Sequence, residues 1–251
     1  MNKLPQITLA FWIMKICATT LGETAGDLLS MTLDVGYAMS SLILLSAFLV
    51  TLVAQLASKR YNPPLYWAVI LSTSTAGTTM SDFMDRTLGL GYASGSALLI
   101  GILAVIFAVW KLSGSTLAVD RIRGFKGEMF YWVAILFSNT LGTALGDYLA
   151  DDSGLGFGGG ALLIGSLIAG IAVLHYRTRI STVLLFWVAF VLTRPFGATL
   201  GDFLTKPLEK GGLDFGTVGA SAFLGAILVG LVIVATQVQR KRLRAAPLPV
   251  L

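Results

Sequence analysis

Four aspartates, Asp27, Asp82, Asp147 and Asp202, each stand fifteen residues after a tryptophan (Trp12, Trp67, Trp132 and Trp187) in strongly apolar surroundings. A carboxylate in such a setting is costly unless it is protonated, paired or bound to a cation. Four of them at equivalent places point to cation ligation or proton exchange. On an α-helix the residues at i−4, i−7 and i−8 share the face of residue i. Reading back from Asp27 collects Glu23, Thr20 and Thr19, with Lys15 one turn further. Asp82 collects Thr78, Thr75 and Ser74, and Asp147 collects Thr143, Thr140 and Asn139. Asp202 collects Ala198, Pro195 and Arg194, with Thr199 beside them. Nearly every polar residue of these segments therefore falls on one face. Lipid cannot satisfy hydrogen bonds, so that face turns inward.

The elements that carry this stripe are four copies of one phrase. Phe11-Trp12, Tyr66-Trp67, Tyr131-Trp132 and Phe186-Trp187 are each followed ten residues after the Trp by Gly22, Gly77, Gly142 and Gly197. Such regularity marks a fourfold internal repeat. The chain has 251 residues, 55% of them hydrophobic and 12% charged, with a mean hydropathy of +0.81. A soluble domain of that composition lacks the polar surface to cover itself. Apolar runs follow each Trp-to-Asp segment and approach the length needed to cross a hydrocarbon core of about 30 Å. The expected fold is an all-α polytopic membrane protein. It has eight transmembrane helices, at 7–29 and 36–57, 64–85 and 90–111, 129–150 and 157–175, and 181–205 and 215–238. They form a single transmembrane domain of four tandem helical hairpins, 7–58, 62–112, 127–177 and 181–239. An even number of spans per repeat gives all four the same orientation, so their pseudo-symmetry axis lies along the membrane normal. Trp spacings of 55, 65 and 55 residues also fit a duplicated pair.

Lys and Arg set the orientation. The ends of the chain and the longer connections carry Lys3, Lys59, Arg60, Lys111, Arg121, Arg123, Lys126, Arg177, Arg179, Arg240, Lys241, Arg242 and Arg244. The turns within repeats carry Arg86, Lys206 and Lys210. Both termini are therefore expected in the cytoplasm and the protein in the bacterial inner (plasma) membrane. The first apolar stretch reads as a retained span, because Lys15 and Glu23 interrupt it. The net charge of +5 reads as topogenic and facing anionic lipid, which leaves nucleic acid without support as a partner. Membrane lipids and a cation are the expected partners, and an oligomer is compatible with the pattern. Cys17 is the lone cysteine, so internal disulfides and thiolate metal sites are excluded. The tryptophans read as an interfacial aromatic belt. The glycines opening each second helix, Gly91, Gly95, Gly156 to Gly160, Gly216 and Gly219, read as packing positions. So do the pairs Ala97/Gly101 and Ala161/Gly165. The glycine ten residues after each Trp, together with Pro195, offers a break in the first helix of a repeat.

Charge narrows the chemistry. Glu23 and the four aspartates are five negative charges, against which Lys15 and Arg194 supply two positive ones, leaving a deficit of three. Protonation or a bound cation removes it. Carboxylate, hydroxyl and amide oxygens suit a hard divalent ion, Mn²⁺ or Mg²⁺. The leading expectation is a cation transporter, not an enzyme, with no covalent cofactor. In it Asp27, Asp82, Asp147 and Asp202 hold the metal, Glu23 binds it or exchanges a proton, and Thr20, Thr75, Thr78, Asn139, Thr140 and Thr143 line the path. Lys15 and Arg194 act as tethered counter-cations. A non-transporting scaffold or sensor is the alternative, and an intramembrane aspartate-dependent enzyme the third. The third is weakened because Ala144-Leu145-Gly146-Asp147 and Thr24-Ala25-Gly26-Asp27 lack the first glycine of a Gly-x-Gly-Asp signature.

On the four copies of aromatic-Trp, Gly and Asp, the chain resembles bacterial membrane proteins with four tandem repeats of unknown function, often described as membrane-anchored. The resemblance covers nearly the whole chain. It implies two spans per repeat and no assured activity.

Overall fold

Each repeat folds as two helices joined by a turn that the sequence marks with glycine. The computed structural model describes residues 3–245, with side chains through 242, so Arg244 of the basic tail lies outside the described side chains. The helices are α1 (Leu9–Asp27), α2 (Tyr37–Ala57), α3 (Pro63–Asp82), α4 (Tyr92–Leu112), α5 (Gly124–Asp147), α6 (Gly156–Arg177), α7 (Thr182–Thr205) and α8 (Gly216–Ala245). Thr8 caps α1 by accepting from the Phe11 N–H at 3.4 Å. Prolines occupy the first turn of α3, where a missing N–H costs no helical bond. After α1, α3 and α5 the chain winds through a five-residue π-helical turn, 28–32, 83–87 and 148–152. Gly36, Gly91, Gly156 and Gly216 then turn it into the next helix at φ of 76°, 73°, 66° and 65°, a region glycine enters without steric cost. A Cβ on any of these four meets no neighbour. All four serve backbone reversal, which corrects the reading of Gly91, Gly156 and Gly216 as packing positions.

Among the described residues six helices are long and apolar enough to cross a membrane: α2, α4, α5 with its π turn, α6, α7 and α8. α1 and α3, which carry much of the hydroxyl stripe, are not in that group. They are instead enclosed. α1, α3, α5 and α7 form a closed inner ring in which each touches two neighbours, and α2, α4, α6 and α8 pack outside it. The outer helices expose Leu42, Val50, Val53, Val105, Leu162, Phe223 and Val229. An apolar outer surface around a polar interior inverts the usual soluble pattern.

The main packing partner of each outer helix belongs to the next repeat. α2 lies on α3, α4 on α5 and α6 on α7, and α8 closes the ring on α1, where Ser221 Oγ donates to Thr24 Oγ1 at 2.9 Å. The repeats are thus hairpins in sequence but interlocked units in space.

Glycines on the inner helices set how closely the ring closes. Gly22 packs on Ser74, Gly77 on Asn139, Gly142 on Arg194 and Gly197 on Thr19. In each case the glycine ten residues after one Trp meets the residue seven after the next Trp around the ring. A Cβ on Gly77 would come within 2.9 Å of the Asn139 and Thr140 backbone. Gly26, Gly146 and Gly201 repeat the contact one turn on, against Thr78, Ala198 and Glu23. These Gly-xxx-Gly pairs allow close backbone approach where lipid gives no hydrophobic drive. All four inner helices run unbroken, α7 through Pro195 included. The expected break is absent there, and the glycine is a contact point. On the outer helices Gly101 meets nothing, while Gly165 packs on Phe196.

The tryptophans also differ from the belt reading. Trp67, Trp132 and Trp187 are buried. The aromatic residue before each Trp packs on the Trp of the next repeat: Phe11 on Trp67 (5.8 Å between ring centroids), Tyr66 on Trp132 (5.6 Å), Tyr131 on Trp187 (5.9 Å) and Phe186 on Trp12 (5.7 Å). This closed circuit of rings plugs one end of the inner bundle. Tyr66 and Tyr131 share a hydrogen bond of 2.7 Å between their hydroxyls, which satisfies two polar groups that burial would otherwise leave unpaired.

Candidate metal centre on the ring axis

Beyond the plug, inward-facing residues stack in layers four residues apart. Lys15, Ile70, Ile135 and Phe190 form the first layer, and Thr19, Ser74, Asn139 and Arg194 the second. Glu23, Thr78, Thr143 and Ala198 form the third, and the four aspartates the fourth. All sixteen are buried. Each layer takes one residue from each inner helix, so the repeat places chemically different side chains at equivalent points.

Arg194 organises the middle. Its stem lies over Gly142, which has no side chain to obstruct it. The guanidinium donates to Glu23 Oε2 at 2.8 Å, Thr78 Oγ1 at 2.5 Å, Thr143 Oγ1 at 2.7 Å and the Ser74 carbonyl at 3.4 Å. Thr78 and Thr143 also donate to Glu23 Oε2, at 3.2 and 3.1 Å. One cation from the fourth repeat therefore ties together acid and hydroxyl groups from the other three. A fully buried pair of this kind persists only with most of its remaining hydrogen bonds made, and here Arg194 Nε is the one guanidinium nitrogen without a partner among the described residues.

The aspartates are paired by two cations that lie one turn beyond them. Arg86 places Nε 2.9 Å from Asp82 Oδ1 and a terminal nitrogen 3.3 Å from Asp147 Oδ2. Lys206 places Nζ 3.0 Å from Asp27 Oδ2 and 3.1 Å from Asp202 Oδ1. Both occupy the same position, nineteen residues after Trp, in the second and fourth repeats. The fourfold ring is thus twofold in charge, as a duplicated pair would produce. Burial works against a charged Lys206, but Asp202 and Asp27 beside it outweigh that and hold its pKa above the ordinary lysine value. The ammonium consequently stays charged across the physiological range.

One carboxylate oxygen from each of Glu23, Asp147 and Asp202 lies within 4.8 Å of the other two. Hard cations bind oxygen at about 2.0–2.6 Å, so three oxygens at that separation fit around one ion. Thr143 sits on the same face, and no thiolate or imidazole joins the group.

Four stretches, residues 10–61, 65–116, 130–181 and 185–241, match the family described as Repeat of Unknown Function (DUF347). The chain belongs to this family. No curated protein matches it, and no solved structure does. The family repeat boundaries coincide with the units that interlock around the ring.

The site residues expected from sequence divide three ways. Glu23, Thr78, Thr143, Arg194 and the four aspartates meet on the axis. Thr20, Thr75 and Thr140, expected to line the path, lie one residue off the inward layer and return their hydroxyls to their own helices, at 2.9 Å to the Ile16, 2.9 Å to the Ser72 and 3.0 Å to the Leu136 carbonyl. Lys15, expected to neutralise carboxylates, points instead at the Phe190 ring, 4.2 Å from its centroid, with Arg194 standing between it and the acids. Asn139 is fully buried, and neither amide atom has a hydrogen-bond partner among the described residues.

Arg86 and Lys206 are the functional residues missed by the sequence reading. The signal was available, since each lies at i+4 from an aspartate and continues the same stripe, but both were assigned to the turns. Counting them with Arg194, and setting aside Lys15 because it faces Phe190, puts three bases against five acids and reduces the deficit from three charges to two. That removes part of the charge argument for an obligatory bound ion.

Proposed function

We propose that the protein is a membrane transporter for a hard divalent cation, Mn²⁺ or Mg²⁺, which binds on the ring axis through Glu23, Asp147 and Asp202. The observation that carries the reading is the convergence of three buried carboxylates from three repeats within 4.8 Å. In this reading α1 and α3 also cross the bilayer, shielded by the outer helices, giving eight spans about the membrane normal. The ends of the chain lie in the bacterial cytoplasm. Asp27 and Asp82 serve mainly as partners of Lys206 and Arg86, so the site is asymmetric and not a fourfold cage.

The plug of aromatic rings closes the route on the side of the helix N-termini, and the paired cations close it on the other. Transport on this account requires each closure to open in turn, as in carriers with repeats around a central site. Uptake of Mn²⁺ into proteoliposomes tests the reading. Asp147→Asn, which preserves shape and removes one ligand charge, is expected to reduce uptake at least about tenfold. Uptake by that variant at the unaltered rate would overturn it.

The pairing of each of the four repeat aspartates with Arg86 or Lys206 favours a second reading, a non-transporting membrane scaffold. It predicts no Mn²⁺ uptake above that of empty liposomes by the unaltered protein.

A further inference from the structure

Arg86 and Lys206 hold equivalent positions but are built differently. Arg86 spreads two nitrogens over two aspartates, and its guanidinium lies 5.5 Å from the Tyr92 ring centroid and 6.0 Å from that of Tyr37. It sits within the π-helical turn that continues α3. A planar fork bridging two carboxylates beside two aromatic rings is a more organised clamp than a single ammonium.

Lys206 holds its two aspartates with one ammonium on a flexible four-carbon stem. α7 has no π turn. The chain leaves the helix at Lys206, with φ −72° and ψ 153°, and runs through a longer turn in which the Asp214 N–H donates to the Lys206 carbonyl at 3.0 Å. The backbone is anchored, and the side chain is less exposed than that of Arg86, 20% against 33%, so the two differ in how the head group is held and not in access to the mouth. No aromatic ring holds the ammonium among the described residues.

Charge gives the difference a consequence. With Lys206 on the axis, Arg86, Arg194 and Lys206 face five acids and two negative charges remain, since Lys15 faces Phe190 instead. Replacing this single positive charge by a divalent ion halves the remaining negative charge to one. Asp202 is both a partner of Lys206 and a member of the converging acid group, and Asp147 stands in the same relation to Arg86, so the choice between the two cations rests on how each head group is held.

We infer that Lys206 is the resident cation that the transported ion displaces, so that Lys206 sets the affinity of the site while Arg86 remains fixed. This rests on the cation-transport reading. On binding, the ammonium leaves Asp202 and Asp27 for the mouth, and the divalent ion takes its place as their counter-charge.

The test is Mn²⁺ titration of the full chain in detergent, with Lys206→Gln, Lys206→Arg and Asp147→Asn beside the unaltered protein. Lys206→Gln removes the competitor and is expected to tighten Mn²⁺ binding about tenfold. Lys206→Arg supplies a better-held competitor and is expected to weaken it several-fold. Opposite signs separate competition from support of the fold, which would weaken binding in both variants. Equal or weaker binding in Lys206→Gln overturns the inference. If that variant does not fold, unchanged affinity in Lys206→Arg overturns it instead. Asp147→Asn reports on the underlying reading, because retention of unaltered Mn²⁺ affinity there sinks the site itself.

Discussion

The half of the ring around Arg86 and the half around Lys206 share helices, glycine contacts and aspartates, yet they hold their charge in different ways. In the first half, a guanidinium bridges Asp82 and Asp147 and rests between two tyrosines. In the second, a lone ammonium bridges Asp27 and Asp202 at the start of a longer turn. A repeated fold can thus keep its scaffold symmetric while dividing labour between copies through one position per repeat. Arg194 adds a further break of symmetry, since only the fourth repeat supplies a cation at that layer.

The largest effect is expected where the two halves are tied together. Arg194→Met strands Glu23 without its buried partner and is expected to cost about 3–5 kcal/mol, read from denaturant unfolding of the purified protein. A loss near zero would mean that Glu23 is held without Arg194.

The comparison itself is sharpened by unfolding Arg86→Gln and Lys206→Gln first with a chelator and then with Mn²⁺. Each variant leaves two buried aspartates short of a cation, and each is expected to lose about 2–3 kcal/mol in chelator. Mn²⁺ at about a hundred times its dissociation constant is expected to return up to about 2.7 kcal/mol to Lys206→Gln, because the ion takes the vacated role, and much less to Arg86→Gln. Equal rescue of both would erase the distinction between the clamps.

A smaller effect tests what the halves have in common. Gly77→Ala drives a methyl into the Asn139 and Thr140 backbone across the ring and is expected to cost about 1–2 kcal/mol through overpacking. Gly101→Ala, where nothing lies nearby, serves as the control for helix propensity alone and is expected to be unchanged or up to about 1 kcal/mol more stable.

Much of this architecture was legible in the chain. The constant spacing of Trp, glycine and aspartate located the repeats, and the i−4 pattern found the inward face of each first helix. Arg194, Glu23, Thr78 and Thr143 emerged from that pattern and do meet. Periodicity on one helix says which residues share a face but not which helix lies opposite, so the docking of α2 on α3 and of α8 on α1 was not visible. The same limit turned the tryptophans into a belt, since an aromatic at a helix end suits either lipid or a neighbouring ring. Arg86 and Lys206 were hidden differently. The expected spans ended at 85 and 205, one residue short of each, whereas the π turn after α3 and the end of α7 carry the stripe one step further. Neighbouring helices also overrode the local preference of Pro195 for a break, because the ring holds α7 from both sides.

The central claim is that acids from three repeats hold a divalent cation on the ring axis, and Mn²⁺ uptake into proteoliposomes addresses it most directly. The account predicts saturable uptake by the unaltered protein that falls at least about tenfold in Asp147→Asn. Uptake indistinguishable between the two proteins, or absent from the unaltered one, would contradict it.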